Sequence, residues 1–203
     1  GAARAGYRLF AELSPHPIVQ RAIVDNLQAA GLDGAVRGSL RRDEDDRGAL
    51  LELLAVLHTH GLSIARVASP LDSSVFDQVY VLPLSARSPQ ALTELADRYA
   101  ELLLAPDGPP LSAIAYSAGV RRSHHEHRLA IVAATKKECL DALRSSSGGQ
   151  SDAPSGRAKV VFVFPGQGSQ WIGMGRELLQ AEPVFRDVLM ACEAEIQQET
   201  GWS

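Results

Sequence analysis

Val160-Val-Phe-Val-Phe-Pro-Gly-Gln-Gly-Ser-Gln-Trp-Ile-Gly-Met-Gly175 decides the reading of this chain. Its first five residues form a short apolar run, the pattern of a central parallel strand. That run feeds directly into glycines. Gly166 and Gly168 flank Gln167, so no Cβ on either side blocks the approach of a ligand to its backbone N–H. A helix following the loop would add unsatisfied N-terminal amides. Residues 176–179 and 184–196 do carry helical spacing, with Pro183 between them. From physics alone three uses fit such a loop: an oxyanion or acyl-carbonyl site, an anion site, or a tight turn that binds nothing. Gly-Lys-Ser/Thr is absent, and Trp171 stands where a dinucleotide fingerprint needs its third glycine, which disfavours ATP and NAD.

Upstream of this segment, residues 145–156 are rich in Ser, Gly, Asp and Pro and read as a surface loop or linker that cannot build a core. Before it lies a compact pattern. Residues 79–84 and 128–133 read as strands, and residues 89–103, 111–118 and 136–144 as helices. Ser88 is placed to cap the first of these helices, with Pro89 at its first position. Two strands with several helices predict a small α+β module. Residues 63–78 lose all periodicity and read as a connector.

At the front of the chain, residues 7–13 predict a strand. Ser14-Pro-His-Pro17 punctuates it, and Ile18 to Ala30 recurs at helical spacing. A second strand over Ala35 to Leu40 leads through a charged turn, Arg41 to Arg47, into a helix carrying Leu50, Leu51, Leu53, Leu54 and Leu57. A βαβα unit of this kind suits part of a layered α/β domain and needs neighbours to cover it.

Composition bounds the function. With 203 residues, 45% of them apolar, the chain can bury one sizeable core and a smaller second one without disulfide or metal staples. Twenty Lys and Arg against 24 Asp and Glu leave a net charge of −4, which offers no footprint for nucleic acid or an anionic membrane. Cys139 and Cys192 lie in apolar helical patterns and read as two buried thiols in a reducing cytoplasmic compartment. No apolar run approaches the roughly 18 residues of a membrane span, and no signal peptide is visible, so the protein reads as soluble. The chain opens in a strand pattern and closes after a helical one, so both ends read as cut.

The segment from Val161 to Leu178 closely resembles the beginning of the malonyl-type acyltransferase domain of modular type I polyketide synthases. Pro183-Val-Phe-Arg186 resembles that family's next helix, and Thr200-Gly-Trp-Ser203 the approach to a further one. Leu82-Pro-Leu-Ser-Ala-Arg-Ser-Pro89, Ala115-Tyr116 and Arg121 to Leu129 resemble the linker that joins a ketosynthase to an acyltransferase. Phe10 to Pro17 and Gly38-Ser-Leu-Arg-Arg-Asp43 resemble the C-terminal segment of an acyltransferase. The implied fold is α/β: partial acyltransferase layers of α/β-hydrolase type plus a small α+β linker module. The implied division is residues 1–69, the rear of one acyltransferase; 70–157, connector and linker; and 158–203, the front of another. That order is unusual for the family and reads as a junction between tandem acyltransferases, or as a deletion or assembly artefact.

The resemblance implies transfer of malonyl-type acyl groups from coenzyme A to the phosphopantetheine thiol of an acyl carrier protein, in antibiotic or other secondary metabolism. The implied neighbours are ketosynthase and acyltransferase domains in a homodimeric parent synthase. Acyl-CoA enters as substrate, and no cofactor or metal site is implied in this segment. The family's nucleophilic Gly-His-Ser-x-Gly and its base histidine motif are absent, so the segment is expected to be inactive by itself. The backbone amide of Gln167 would be an oxyanion donor, Gly166 and Gly168 would shape the loop, and Gln170 would support the pocket. The alternative is a structural linker or carrier-docking module without transferase activity.

Other chemistry-bearing residues read as structural. Ala115-Tyr-Ser-Ala-Gly119 resembles half of a nucleophile elbow, but Ala115 replaces the first glycine and no apolar strand precedes it, so Ser117 is expected near a helix C-terminus. His124, His125 and His127 are expected on a strand, His124 on the opposite face from the other two, without metal-ligand spacing. His16 reads as peripheral to a pocket, and His58 and His60 as the end of the leucine helix. The mixed charges from Arg41 to Arg47 read as a solvated turn.

Overall fold

A computed structural model describes residues 1–62, 79–145, 151–152 and 159–202; the connector expected over 63–78, most of the 145–156 linker and Ser203 lie outside the described residues. The fold is α/β, with two three-stranded sheets sharing one helix. The strands are β1 (Leu9–Glu12), β2 (Ala35–Gly38), β3 (Tyr80–Ala86), β4 (His127–Ala133), β5 (Ser151–Asp152) and β6 (Val160–Val163). The helices are α1 (Gln20–Ala29), α2 (Asp46–Thr59), α3 (Pro89–Leu104), α4 (Leu111–Val120), α5 (Lys136–Ser145), α6 (Arg176–Ala181) and α7 (Pro183–Thr200).

The first sheet is wholly parallel, in the order β2-β1-β6. Leu9 lies opposite Ala35 on one side and Val160 on the other, so the front of the chain and its glycine-loop region are strands of one sheet. Parallel pairing needs a crossover, and α1 supplies it between β1 and β2.

The second sheet is antiparallel, in the order β3-β4-β5, with Leu82 opposite Ile131. Strand alternation sends Leu82, Leu84, Ala86, Leu129, Ile131 and Ala133 to one face, where α3, α4 and α5 bury them with Leu92, Leu103, Leu111, Ile114 and Cys139. Pro83 is tolerated inside β3 because β3 is an edge strand. Ser88 Oγ accepts the Ala91 N–H at 3.2 Å with Pro89 behind it, the expected cap of α3. The short strand β5 was not anticipated: two residues of the Ser-rich stretch pair with His127 and Arg128.

Helix α2 explains why its sequence is leucine-rich beyond one stripe. Leu53 and Leu57 pack on Leu9 and Ala11 of the parallel sheet, while Leu51 and Ala55 pack on Val81 beside Ala130 and Val132 of the antiparallel one. A helix buried from two sides needs apolar residues on both. At its C-terminal end, an Arg128 guanidinium nitrogen donates to the carbonyls of His58 at 3.2 Å and Leu62 at 3.0 Å. These bonds offset orphan acceptors that every helix end leaves.

Two expectations are corrected. Cys139 is buried, and burial pushes its thiol up to about 11, but Cys192 is exposed on α7, where no residue is buried. His124 and His125 precede β4 instead of alternating on it, and the His124 ring stands edge-on to His58 with centroids 5.0 Å apart.

Candidate active site

The carboxyl ends of β1 and β6 lie side by side, the position at which open parallel sheets place their ligands. Two loops leave there. The Leu13 N–H donates to the Val163 carbonyl at 2.8 Å, carrying the pairing one residue past β1, and the chain then turns through Ser14 to Pro17. From β6 it enters Phe164-Pro-Gly-Gln-Gly168.

The first loop is held by Glu12, a fully buried carboxylate that the sequence reading did not single out. Its Oε1 accepts the N–H of Ile18 at 2.7 Å, the N–H of Val19 at 3.2 Å and the Ser14 hydroxyl at 3.2 Å. A buried carboxylate is tolerable only when so satisfied. Ser39 joins the same network: its N–H donates to the Glu12 carbonyl at 2.8 Å, and its Oγ accepts the Ser14 N–H at 3.1 Å. The sequence signal was an acid closing an apolar strand just before a Ser-Pro turn, which is weak by itself. His16 stands at the rim, its Nδ1 accepting the Arg42 N–H at 3.2 Å.

The two loops touch. The Trp171 indole donates to the Pro15 carbonyl at 3.0 Å, and a Cβ on Gly168 would sit 3.6 Å from the Ile18 side chain. Gly168 has φ +117°, backbone that L side chains rarely adopt, so glycine is required there. Gly166 meets nothing within 4 Å where its Cβ would be. Its lack of a side chain leaves the approach to Gln167 open and relieves no clash. The Gly168 N–H donates to Gln170 Oε1 at 2.8 Å, so Gln170 braces the loop from within. The Gln167 N–H donates to no atom among the described residues, and Gln167 is exposed.

The helix expected to aim its amides at this loop does not do so. α6 begins only at Arg176, and the N–H groups of Glu177 and Leu178 face the Asp46 carboxylate instead. In return, Glu177 Oε2 accepts the Asp46 N–H at 3.0 Å, so each helix start offers a carboxylate to the other. Arg47 and Glu182 add an ion pair at 3.5 Å. The charged stretch at 41–47 is therefore not a wholly solvated turn: Asp46 is buried, with Oδ1 unpartnered among the described residues. That burial, followed by the neighbouring Glu177 carboxylate, raises its pKa.

The remaining candidates stay apart from this place. Ser117 lies on the exposed side of α4, its carbonyl accepting the Arg121 N–H at 3.1 Å. His127 opens β4, and His124 Nε2 lies 3.1 Å from the Gly119 carbonyl. No three His, Cys, Asp or Glu side chains gather as a metal cluster among the described residues. No described helix is long and apolar enough to cross a membrane.

Comparison with known proteins finds two matching stretches of the chain. A family model described as CurL-like, PKS C-terminal, matches residues 80–143, and the acyl transferase domain model matches residues 161–203. Erythronolide synthase EryA2 of Saccharopolyspora erythraea is 41% identical over 130 residues, 60% of this chain and 4% of that protein. 5-Methyl-1-naphthoate synthase of Streptomyces sahachiroi is 31% identical over 209 residues, 98% of this chain and 11% of that protein. The chain thus spans a small part of the curated relatives it matches. Among solved structures, the acyl transferase domain of ZmaA superposes with a TM-score of 0.57 at 28% identity, over 61% of this chain and 29% of that one. The acyl transferase domain of SpnD, solved with 2-(pent-4-yn-1-yl)malonyl, gives 0.53 at 33% identity, over 61% and 30%.

Proposed function

For a chain that carries polyketide synthase acyltransferase-domain sequence, we propose that the Gln167 loop is half of an oxyanion hole for malonyl-type acyl transfer. The observation that carries this reading is the exposed Gln167 N–H at the carboxyl end of β6, unpaired among the described residues, in a loop fixed by Gly168, Gln170 and the Trp171 contact. A preorganised donor of this kind stabilises charge that develops only as the reaction proceeds.

Acyl transfer takes two attacks past one donor. A serine hydroxyl, supplied by acyltransferase sequence other than these residues and deprotonated by a histidine, attacks the thioester carbonyl of acyl-CoA. The carbonyl oxygen becomes an oxyanion and accepts the Gln167 N–H. Collapse expels the coenzyme A thiolate, which takes the proton from the histidine and leaves an acyl ester. The phosphopantetheine thiol of an acyl carrier protein, deprotonated by the histidine, then attacks that ester past the same donor; collapse breaks the serine–acyl bond, the serine oxygen takes the proton back from the histidine, and the acyl group leaves as the carrier thioester. Gly166 leaves the loop open, and Gln170 holds Gly168 in place. His16, at the rim, is peripheral. The setting is a cytoplasmic, homodimeric synthase with ketosynthase and acyltransferase neighbours, and residues 1–203 alone transfer nothing because they hold neither nucleophile nor base.

The test joins this chain, in one polypeptide, to the remainder of the EryA2 acyltransferase domain and tracks acyl loading from radiolabelled malonyl-CoA and methylmalonyl-CoA. Gln167→Pro removes the N–H and is expected to lower loading about 100-fold or more, while Gln167→Ala, which keeps it, stays within a few-fold. Equal loading by both variants, with folding unchanged, overturns the assignment.

A further inference from the structure

We propose that Glu12 is a positioning residue for the Gln167 N–H, acting through the turn at residues 14–18 on the glycine loop. The proposal rests on the oxyanion reading above and names the part of the chain that holds that donor in place.

Burial alone does not explain an acid at this strand end. Leu9 and Ala11 face α2, so alternation turns Glu12 to the other side of β1, the side on which Phe10 meets Ile23 and Leu27 of α1. An apolar side chain would fill that place at a lower desolvation cost. The carboxylate instead takes the N–H groups of Ile18 and Val19, and Val19 is the N-cap of α1 with no side-chain oxygen of its own to offer. Negative charge is favoured at such a helix start. The Ser14 hydroxyl lies 3.2 Å from Glu12 Oε1 and 3.0 Å from the His16 carbonyl, sharing its proton between them. From β2, Ser39 Oγ accepts the Ser14 N–H and donates to the Ser14 carbonyl, and a Cβ on Gly38 would stand 3.0 Å from Pro17. The turn is thus held from both strands, with Glu12 at its centre.

The turn meets the glycine loop at two points. The Pro15 carbonyl accepts the Trp171 indole N–H at 3.0 Å, the hydrogen bond that ties residues 166–171 to another part of the chain among the described residues. Ile18, whose own N–H makes the 2.7 Å bond to Glu12, lies 3.6 Å from the Cβ position of Gly168, next to Gln167. The bond from the Gly168 N–H to Gln170 shapes the loop from within but does not fix where it stands. The turn fixes that, and Glu12 fixes the turn. An oxyanion donor is effective only when it is aimed before charge develops, so the order of the Gln167 N–H is the quantity that Glu12 controls.

The test measures that order directly, by nitrogen-15 relaxation on residues 1–203. In the parent chain the Gln167 N–H is expected to have an order parameter of about 0.85, that of rigid backbone, and in Glu12→Met, which keeps the length and removes the acceptors, one below about 0.6. Glu12→Gln keeps an oxygen for the Ile18 N–H and restores the rigid value. The amides of Leu9 to Ala11 stay rigid in all three, which a merely structural loss at Glu12 would not allow. A Gln167 that is mobile in the parent, a Gln167 that stays rigid in Glu12→Met, or equal loosening of β1 and the loop each overturns the proposal. Should Glu12→Met fail to fold, hydrogen exchange in the parent decides. One opening that frees turn and loop together gives the Ile18 amide and the Trp171 indole a common protection factor, and an indole that opens independently of Ile18 overturns the proposal. Acyl loading by the single-chain fusion separates this proposal from the reading beneath it. If Gln167→Pro loads as well as Gln167→Ala, the oxyanion role fails and the positioning by Glu12 still stands on the order parameters.

Discussion

Among the described residues the two sheets have the same number of strands and differ in how far they are covered. The antiparallel sheet has α3, α4 and α5 on one face and α2 on the other, and its core residues are nearly all buried. The parallel sheet is as well covered at β1, whose four residues are all buried, and only partly covered one strand away at β6, where Phe162 is exposed. The difference teaches where stability and function divide. The antiparallel sheet and its helices α3, α4 and α5 form the covered part, and the shared helix α2 packs on its other face. Strand β6 pairs with β1, and its other edge has no strand partner among the described residues.

The sharpest way to break this comparison is to damage the covered half. Leu84 and Leu92, each at most 2% exposed, sit in the core under the antiparallel sheet. Leu84→Ala is expected to cost about 4 kcal/mol, since transfer and cavity costs add where the surroundings cannot collapse. Denaturant unfolding measures it. Because α2 packs on both sheets, the same variant should also lower the protection of β1 amides in hydrogen exchange, whereas independent modules would leave that protection unchanged.

The joint between the halves titrates. His58 is fully buried on α2, neither ring nitrogen has a well-formed hydrogen bond among the described residues, and burial, then the Arg128 charge and His124, outweigh the Leu62 and Leu84 backbones and lower its pKa to about 4. Unfolded, it binds a proton below about 6.5. The folded pKa is the lower one, so the stabilisation is complete above about 6.5 and drains away as the pH falls towards 4, by about 3 kcal/mol. The groups facing the ring are His124 and Arg128, and neither is a carboxylate that could hold it charged. The checking experiment compares unfolding of the parent chain and of His58→Leu at pH 7 and pH 4.5. The acid loss specific to the parent should disappear in the variant, and equal slopes for the two would exclude His58 as its source.

Local chemistry made the covered half legible in the sequence. The Ser88-Pro89 cap, the alternation of β3 and β4 and the spacing of α3 all depend on residues a few positions apart. The features that sequence reasoning missed depend on distant pairing. Asp46 lies in a run of seven residues from Arg41 to Arg47 that looks solvated, and only the approach of Glu177, 131 residues later, makes it a buried helix-start partner. Glu12 escaped notice because nothing in four apolar-patterned residues tells a buried carboxylate from a strand's polar end. The glycine loop was legible as a motif, and Gln167, Gly168 and Gln170 do stand together. The expected amides of the next helix were not there, because spacing cannot show that α6 turns to face α2. Cys192 was misjudged for a related reason: an apolar stripe on a helix looks the same whether or not anything covers it.

The smallest expected effect is the one that best separates the halves. Phe164, 72% exposed just beyond β6, buries little of its surface. At roughly 25 cal/mol per Å² of apolar surface removed from water, a side chain left mostly in water contributes little to folding. Phe164→Ser is therefore expected to change stability by less than about 0.5 kcal/mol, the range of ordinary surface substitutions. If β6 were completed by another part of this same chain, Phe164 would be core, and its loss would cost about 3 kcal/mol or more. Side-by-side denaturant unfolding of Phe164→Ser and Leu84→Ala distinguishes these cases. Near-neutrality at Phe164 beside a large loss at Leu84 is what an uncovered outer strand requires, and comparable losses at the two positions would mean that Phe164 is core.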